Sequence, residues 1–210
     1  TGLSSAIDEV RRTPWVRSQQ EAGSLSLEFA HDRVRDLVLS RVSLEEQQHI
    51  HGALGDALAR AGADAESVVL HWIEAGQTYR VTGHASRAAE AAVQSLAFAR
   101  GVRLYQLALA HGSATDPEQH RALQLSLAGA LSSSGRASEA AVLYLELAQS
   151  SPPAAALELR QRAAAEWLEA GEQARGIAEC VSMLRELGVE LSPSRSRTRL
   201  LWSIQVRRLT

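Results

Sequence analysis

The chain has 210 residues, of which 45% are hydrophobic and 22% charged, with a formal net charge of -2. That is enough apolar material for a large folded core and too much for a disordered chain. The near-balance of charge excludes a polyanion binder driven by bulk electrostatics, and the single Cys excludes an internal disulfide or a thiolate metal cluster.

Taken in chain order, the opening residues are broken by Thr13-Pro14, after which Trp15-Val16-Arg17 reads as a short strand. A polar turn from Ser18 to Gly23 follows. Ser24 to Phe29 then alternates with a period of two, placing Leu25, Leu27 and Phe29 on one face and Ser24, Ser26 and Glu28 on the other, the pattern of a half-buried strand in a β-hairpin. Asp32 stands where an N-cap belongs, its carboxylate able to accept from free amides of the next turn. The helix it opens carries Val34, Leu37, Val38 and Arg41 at helical spacing.

From Ser43 onward only helices are predicted. Ser43 and Glu46 make a capping box for a helix through Ile50, Leu54 and Leu58 that ends near Gly62. Another runs from about Glu66 to Ala75 and stops at Gly76, with later ends near Ala110, Ser134, Ser150, Ala170 and Gly188. Aromatics are only 4% of the chain, against 36 Ala and 29 Leu, so the core must be built mainly from Ala and Leu, which favours closely packed helices over strands.

These helices repeat. Leu123, Leu127, Leu131 and Gly135 recur 36 residues later as Leu159, Ala163, Trp167 and Gly171; Ala140, Tyr144 and Ala148 recur as Gly176, Cys180 and Leu184. At a spacing of 39, Ala88, Ala92, Leu96, Gly101, Tyr105 and Leu109 form a preceding unit. The run Trp72-Ile73-Glu74-Ala75-Gly76 also returns as Trp167-Leu168-Glu169-Ala170-Gly171. Small residues at Ala88, Ala128, Ala140 and Gly176 let paired helices approach, and larger neighbours fill the space beside them. One such pair cannot bury its apolar stripe alone, so stacking into a superhelix is expected. The period and pattern resemble a tetratricopeptide-like array, without the signature proline after the second helix.

Residues that could carry chemistry are sparse. His49 and His51 lie two apart and point in different directions on a helix, and His71, His84, His111 and His120 have no carboxylate or thiolate at ligand spacing. No Gly-rich phosphate loop, GxSxG elbow or HExxH occurs. Cys180, beside Val181 and Met183, reads as a buried inert thiol, and Tyr105 and Tyr144 as packing residues. No catalytic residue and no metal site are assigned. A run of about 18 apolar residues is absent and the opening shows no leader pattern, so a cytoplasmic, reducing setting is expected. Arg195, Arg197, Arg199, Arg207 and Arg208 give the last twenty residues a charge of +5, read as the wet face of a further helix carrying Leu200, Leu201, Trp202, Ile204 and Val206. A corner beside a helix N-terminus can offer an imidazole to a phosphate, which makes His31-Asp32 the most suggestive pair in the chain.

A strand, turn, strand and helix over the first forty residues look like the end of a winged-helix domain. More specifically, Leu27-Glu28-Phe29-Ala30-His31-Asp32-Arg33-Val34-Arg35 and Gln47-Gln48-His49-Ile50-His51-Gly52-Ala53-Leu54 resemble the end of that domain and the following linker helix in STAND-type signalling ATPases. These are AAA-related switches often fused to bacterial serine/threonine kinases or transcription-activator domains. His71 to Gly76, Ala88 to Ala92 and Leu96 to Tyr105 are similar to the start of their helical repeats, and Arg175 to Pro193 to the kinase-linked members. The resemblance implies an upstream module that binds ADP at rest and exchanges it for ATP, with magnesium, when an inducer docks on the repeats. It also implies nucleotide sensing by His31 and Asp32, through contact with the β-phosphate; Ala30 stands where some branches carry methionine.

The expected layout is therefore the end of a winged-helix-like domain over 1–42, tetratricopeptide-like repeats over 43–190 and a basic segment over 191–210, in a mainly α chain that reads as a piece of a longer protein. The expected function is a non-catalytic, inducer-sensing protein-interaction region of a multidomain ATPase, with a protein or small-molecule inducer as partner, nucleotide bound through an upstream domain and no membrane contact. The alternatives are a stand-alone adaptor scaffold and a nucleic-acid-binding module; net charge argues against the latter.

Overall fold

A computed structural model describes residues 2–21, 24–111 and 116–189. Its elements run α1 (Gly2–Arg11), β1 (Val16–Glu21), β2 (Ser24–Phe29), α2 (Asp32–Leu39), α3 (Leu44–Arg60), α4 (Ala65–Glu74), α5 (Thr78–Gln94), α6 (Phe98–His111), α7 (Pro117–Ser133), α8 (Ala137–Gln149), α9 (Pro153–Glu169) and α10 (Gln173–Glu186). The chain is mainly α, a series of helix hairpins in which each helix from α3 onward packs on the next in sequence. The basic segment over 191–210 lies outside the described residues.

The β-hairpin is present, with β1 and β2 antiparallel and Val16 opposite Phe29. The expected turn from Ser18 is shorter than the polar composition suggested. Ser18 to Glu21 stay in β1, because pairing runs without a break to Glu21 opposite Ser24; the connection at Ala22 and Gly23 lies outside the described residues. The alternating face reaches no core here, since Leu27 and Phe29 are exposed; the side chain of Leu25 lies outside the described set. α2 buries none of its residues. The opening helix α1 had no counterpart in the sequence reading.

Ser43 caps α3 as expected: its hydroxyl accepts from the Glu46 amide at 3.3 Å, and the Glu46 carboxylate accepts from the Ser43 amide at 3.0 Å. Donation to that carboxylate from the Ser43 hydroxyl, at 2.7 Å, and then from the Ser43 amide holds the Glu46 carboxyl below its ordinary range. Asp64 and Asp116 cap α4 and α7 without a reciprocal partner, each carboxylate accepting from two free amides.

The core is continuous from Val68 to Trp167, and among the described residues no charged or polar one is buried. It is Ala- and Leu-rich, with Val at the α4–α6 end and Tyr105, Tyr144, Trp72 and Trp167 as large fillers. The equivalence of Tyr105 and Tyr144 holds, both being buried. Small residues stand where hairpins close. A Cβ at Gly176 would lie 2.9 Å from the Ala164 carbonyl oxygen, and Ala140, its counterpart one repeat earlier, is fully buried. Arg160 clamps the last hairpin, pairing with Glu179 and Glu186 and donating to Ser182.

Several of the described helices end on one left-handed residue, whereas the α8–α9 connection over 150–152 has none. Gly62, Gly76, Gly135, Gly171 and Gly188 have φ between 67° and 81°, and each ends its helix with paired 6→1 and 5→2 amide bonds, as where the Arg136 and Gly135 amides reach the Leu131 and Ser132 carbonyls. The break between α5 and α6, missing from the predicted helix ends, uses the same device at Leu96, with φ of 63°.

Candidate functional site

His31 and Asp32 sit at the entry to α2. The N-cap is His31, whose extended backbone (φ -145°, ψ 138°) turns its carbonyl to the Val34 and Arg35 amides at 3.0 and 3.3 Å. This corrects the assignment of Asp32 as the cap. Asp32 is already the first helical residue, its carboxylate 3.1 Å from Arg35, where an acid complements the helix dipole. The His31 side chain makes no capping bond and is exposed, and it meets no partner among the described residues.

A denser polar cluster lies where α3, α4 and α5 meet. The Trp72 indole Nε1 donates to Asp56 Oδ1 at 3.1 Å, and the Arg80 guanidinium donates to the same oxygen at 2.5 Å and to Gln77 Oε1 at 2.9 Å. Arg80 lies over the Trp72 ring, 4.2 Å from its centroid, and His84 meets the indole edge-on at 5.1 Å. The bonds from Trp72, and then from Arg80, hold the Asp56 carboxyl below its ordinary range. Burial, then Arg87 and Arg80, hold the His84 imidazole low. One turn earlier on α3, His51 Nδ1 faces His71 Nδ1 at 2.9 Å. Among the described residues no group of three or more His, Cys, Asp or Glu side chains converges as a metal site would require.

From the sequence, His51 is weighed only against His49, and His71 and His84 read as isolated. Part of the missed signal was the turn: once Gly62 reverses the chain, His51 and His71 lie equally far from Ala61 and so at one level on two antiparallel helices, and the helix rotation turns the two rings together. Cys180 is half-buried, its thiol pushed up by burial and then by Glu179, in keeping with an inert role.

A second feature went unnoticed in the sequence. An open groove of about 400 Å³ is lined by Leu131, Ser138, Glu139, Val142, Leu143, Glu146 and Arg175. Its apolar side is Leu131, Val142 and Leu143, and its rim is charged. Arg136 bonds Glu139 through two nitrogens at 2.7 and 2.6 Å, which holds that carboxyl low. Across the groove, Glu172 accepts from both Ser138 and Arg175, at 2.5 and 2.7 Å. These residues come from three helices and share no motif, so only packing brings them together.

With that geometry in view, neither family models nor curated proteins nor solved structures provide a match for this chain. No helix among the described residues is long and apolar enough to cross a membrane.

Proposed function

We propose that the chain is a non-catalytic protein-docking region of a larger cytoplasmic signalling protein, its helix hairpins forming a scaffold and its α8 groove receiving the partner. The observation that carries this reading is the groove. An apolar floor bounded by two carboxylates and an arginine suits an apolar side chain flanked by polar groups on a peptide or helix, and hydrophobic anchors with a charged rim are how docking surfaces gain affinity and register. The likeness of the Leu27–Arg35 run to STAND-type ATPases supports an inducer-sensing role beside an upstream nucleotide-binding module, with His31 of the His31-Asp32 pair turned to the β-phosphate. The exposure of His31 at a helix start is compatible with such a contact.

The test uses the full-length gene product, wild type against His31→Ala and Val142→Arg. Bound nucleotide is released and identified, and signalling output is measured with and without inducer. ADP in the wild type that is lost in His31→Ala supports the switch. Loss of inducer response in Val142→Arg, with nucleotide retained, assigns docking to the groove. Wild-type protein free of nucleotide overturns the ATPase connection and leaves an adaptor scaffold.

A further inference from the structure

α3 is held to its neighbours by other means than the helices after it. Of its 17 residues only Gly52 and Gly55 are buried. Leu44, Ile50 and Leu54 are exposed, while Leu58 and Ala59 reach the core edge. By contrast α7 alone buries Leu123, Leu127 and Leu131. What fastens α3 is close backbone approach, with a Cβ at Gly55 only 2.6 Å from Trp72 Cδ1, together with two polar links: Asp56 to Trp72 and Arg80, and His51 to His71.

The histidine link has a defined geometry. The Nδ1 atoms are 2.9 Å apart and the ring centroids 5.1 Å. The centroid separation exceeds the nitrogen separation by about two ring radii, so both nitrogens lie close to the line joining the rings and point at each other. A metal ion needs roughly 2.0–2.1 Å to each nitrogen, which this head-on spacing does not leave. One proton fits. In the neutral pair one ring donates Nδ1–H to the lone pair of the other, and a singly protonated pair keeps the same bond with a charge behind it. A second proton sets N–H against N–H and two positive charges in contact.

The surrounding charges do little to relieve that clash. On α4, Glu74 lies one turn beyond His71 and favours its charged form, but burial and then His51 outweigh it and hold His71 below the ordinary histidine range. On α3, Asp56 is already engaged by Trp72 and Arg80, with Arg60 nearby. α5 brings two arginines, Arg80 and Arg87, and a third imidazole, His84.

We propose that the His51–His71 bridge is a proton-operated latch, which keeps α3 docked on α4 until the pair takes its second proton and then releases it. α2 goes with α3, because the Gln47 carboxamide bonds the Leu39 and Val42 carbonyls at 3.0 and 2.9 Å. The direction follows from linkage. His71 binds its proton less readily in the folded chain than in the unfolded one, so the docking contribution is complete above about pH 6.5 and is lost as pH falls through the lower folded value.

The experiment is amide hydrogen exchange on the full chain at about pH 7.5 and about pH 5, on either side of ordinary histidine titration, corrected for intrinsic exchange. Protection in α3 should fall several-fold at the lower pH, while α7 to α9 stay constant. His71→Asn keeps an amide near the Nδ1 position without a second proton, and should flatten the α3 response; His84→Asn should leave it intact. An α3 response that is absent in wild type, that survives His71→Asn, or that disappears in His84→Asn overturns the latch. Nitrogen chemical shifts of the wild-type imidazoles give a readout independent of any variant. A His71 imidazole that titrates below the ordinary histidine range supports the latch, and one that titrates near 6.5 overturns it.

Discussion

The same pentapeptide pattern closes α4 and α9, and the two copies differ in what surrounds the tryptophan. In Trp72-Ile73-Glu74-Ala75-Gly76 the indole N–H donates to Asp56, Arg80 covers the ring and His84 meets its edge. In Trp167-Leu168-Glu169-Ala170-Gly171 the indole N–H is buried and meets no acceptor among the described residues. The backbone is alike in both, each turn closing on a left-handed glycine. A local repeat therefore specifies the turn, while the partner helix specifies the chemistry. Where α3 brings Asp56 to Trp72, the position sixteen residues before Trp167 is Ser151, already engaged by Arg121. The first tryptophan is an anchor in a polar lattice and the second a space filler.

That contrast is broken or sharpened most strongly by paired Trp→Phe changes followed by urea unfolding. Trp72→Phe removes a donor from Asp56 and weakens the cation–π contact, and should cost about 1–2 kcal/mol, discounted because Asp56 is partly solvated. Trp167→Phe removes a buried donor that has no acceptor among the described residues, so the relief offsets the lost volume, and stability should stay within about 0.5 kcal/mol of wild type. Equal losses at the two sites would mean that packing alone decides both.

The hairpin interfaces give the next comparison. At Gly176 a new Cβ would meet the Ala164 carbonyl oxygen at 2.9 Å and Leu168 Cγ at 2.8 Å, and a backbone oxygen cannot turn aside. Gly176→Ala should therefore destabilise by about 1–2 kcal/mol in thermal or urea unfolding, overpacking outweighing the helix-propensity gain. Gly129, on the open side of α7, has nothing within 4 Å of such a Cβ. Gly129→Ala should stabilise by about 0.5–1 kcal/mol. A gain at both sites would show that α9 and α10 can part without cost.

Much of this was legible from residue patterns. The capping box at Ser43, the small-residue seam through Ala128, Ala140 and Gly176, the paired tyrosines and the hairpin alternation are local or strictly periodic, and period and spacing survive in one dimension. The polar sites were not legible in the same way. His51 and His71, Asp56 and Trp72, and the groove joining Leu131, Val142 and Arg175 are meetings across turns, set by where the chain reverses and how the helices rotate. The N-cap at α2 was displaced by one residue because a carboxylate is the better capping group by type, whereas the backbone enters its helical conformation one residue earlier than type suggests. Ser43→Ala, a cap read correctly, should cost α3 about 1 kcal/mol, seen as faster amide exchange in its first turn.

The smallest effect concerns the turn that the repeat alignment placed correctly and the predicted helix ends omitted. Leu96 aligns with Gly135 and Gly171, and the backbone there is left-handed in all three. The amide bonds are also the same: the Ala97 amide reaches the Ala92 carbonyl at 2.8 Å, as the Arg136 amide reaches Leu131 at 2.9 Å. A side chain with a Cβ is strained in this conformation by about 1–2 kcal/mol, and the Leu96 side chain is 74% exposed, so burial offsets little of that strain. Glycine would relieve it but adds freedom to the unfolded chain, which takes back about 0.5–1 kcal/mol. Leu96→Gly should thus raise stability by about 0.5 kcal/mol in urea unfolding, and the reciprocal Gly135→Leu should lower it by a similar amount. If Leu96→Gly instead destabilises, the exposed leucine holds the α5–α6 turn through a contact of its own, and the three turns are equivalent in backbone alone.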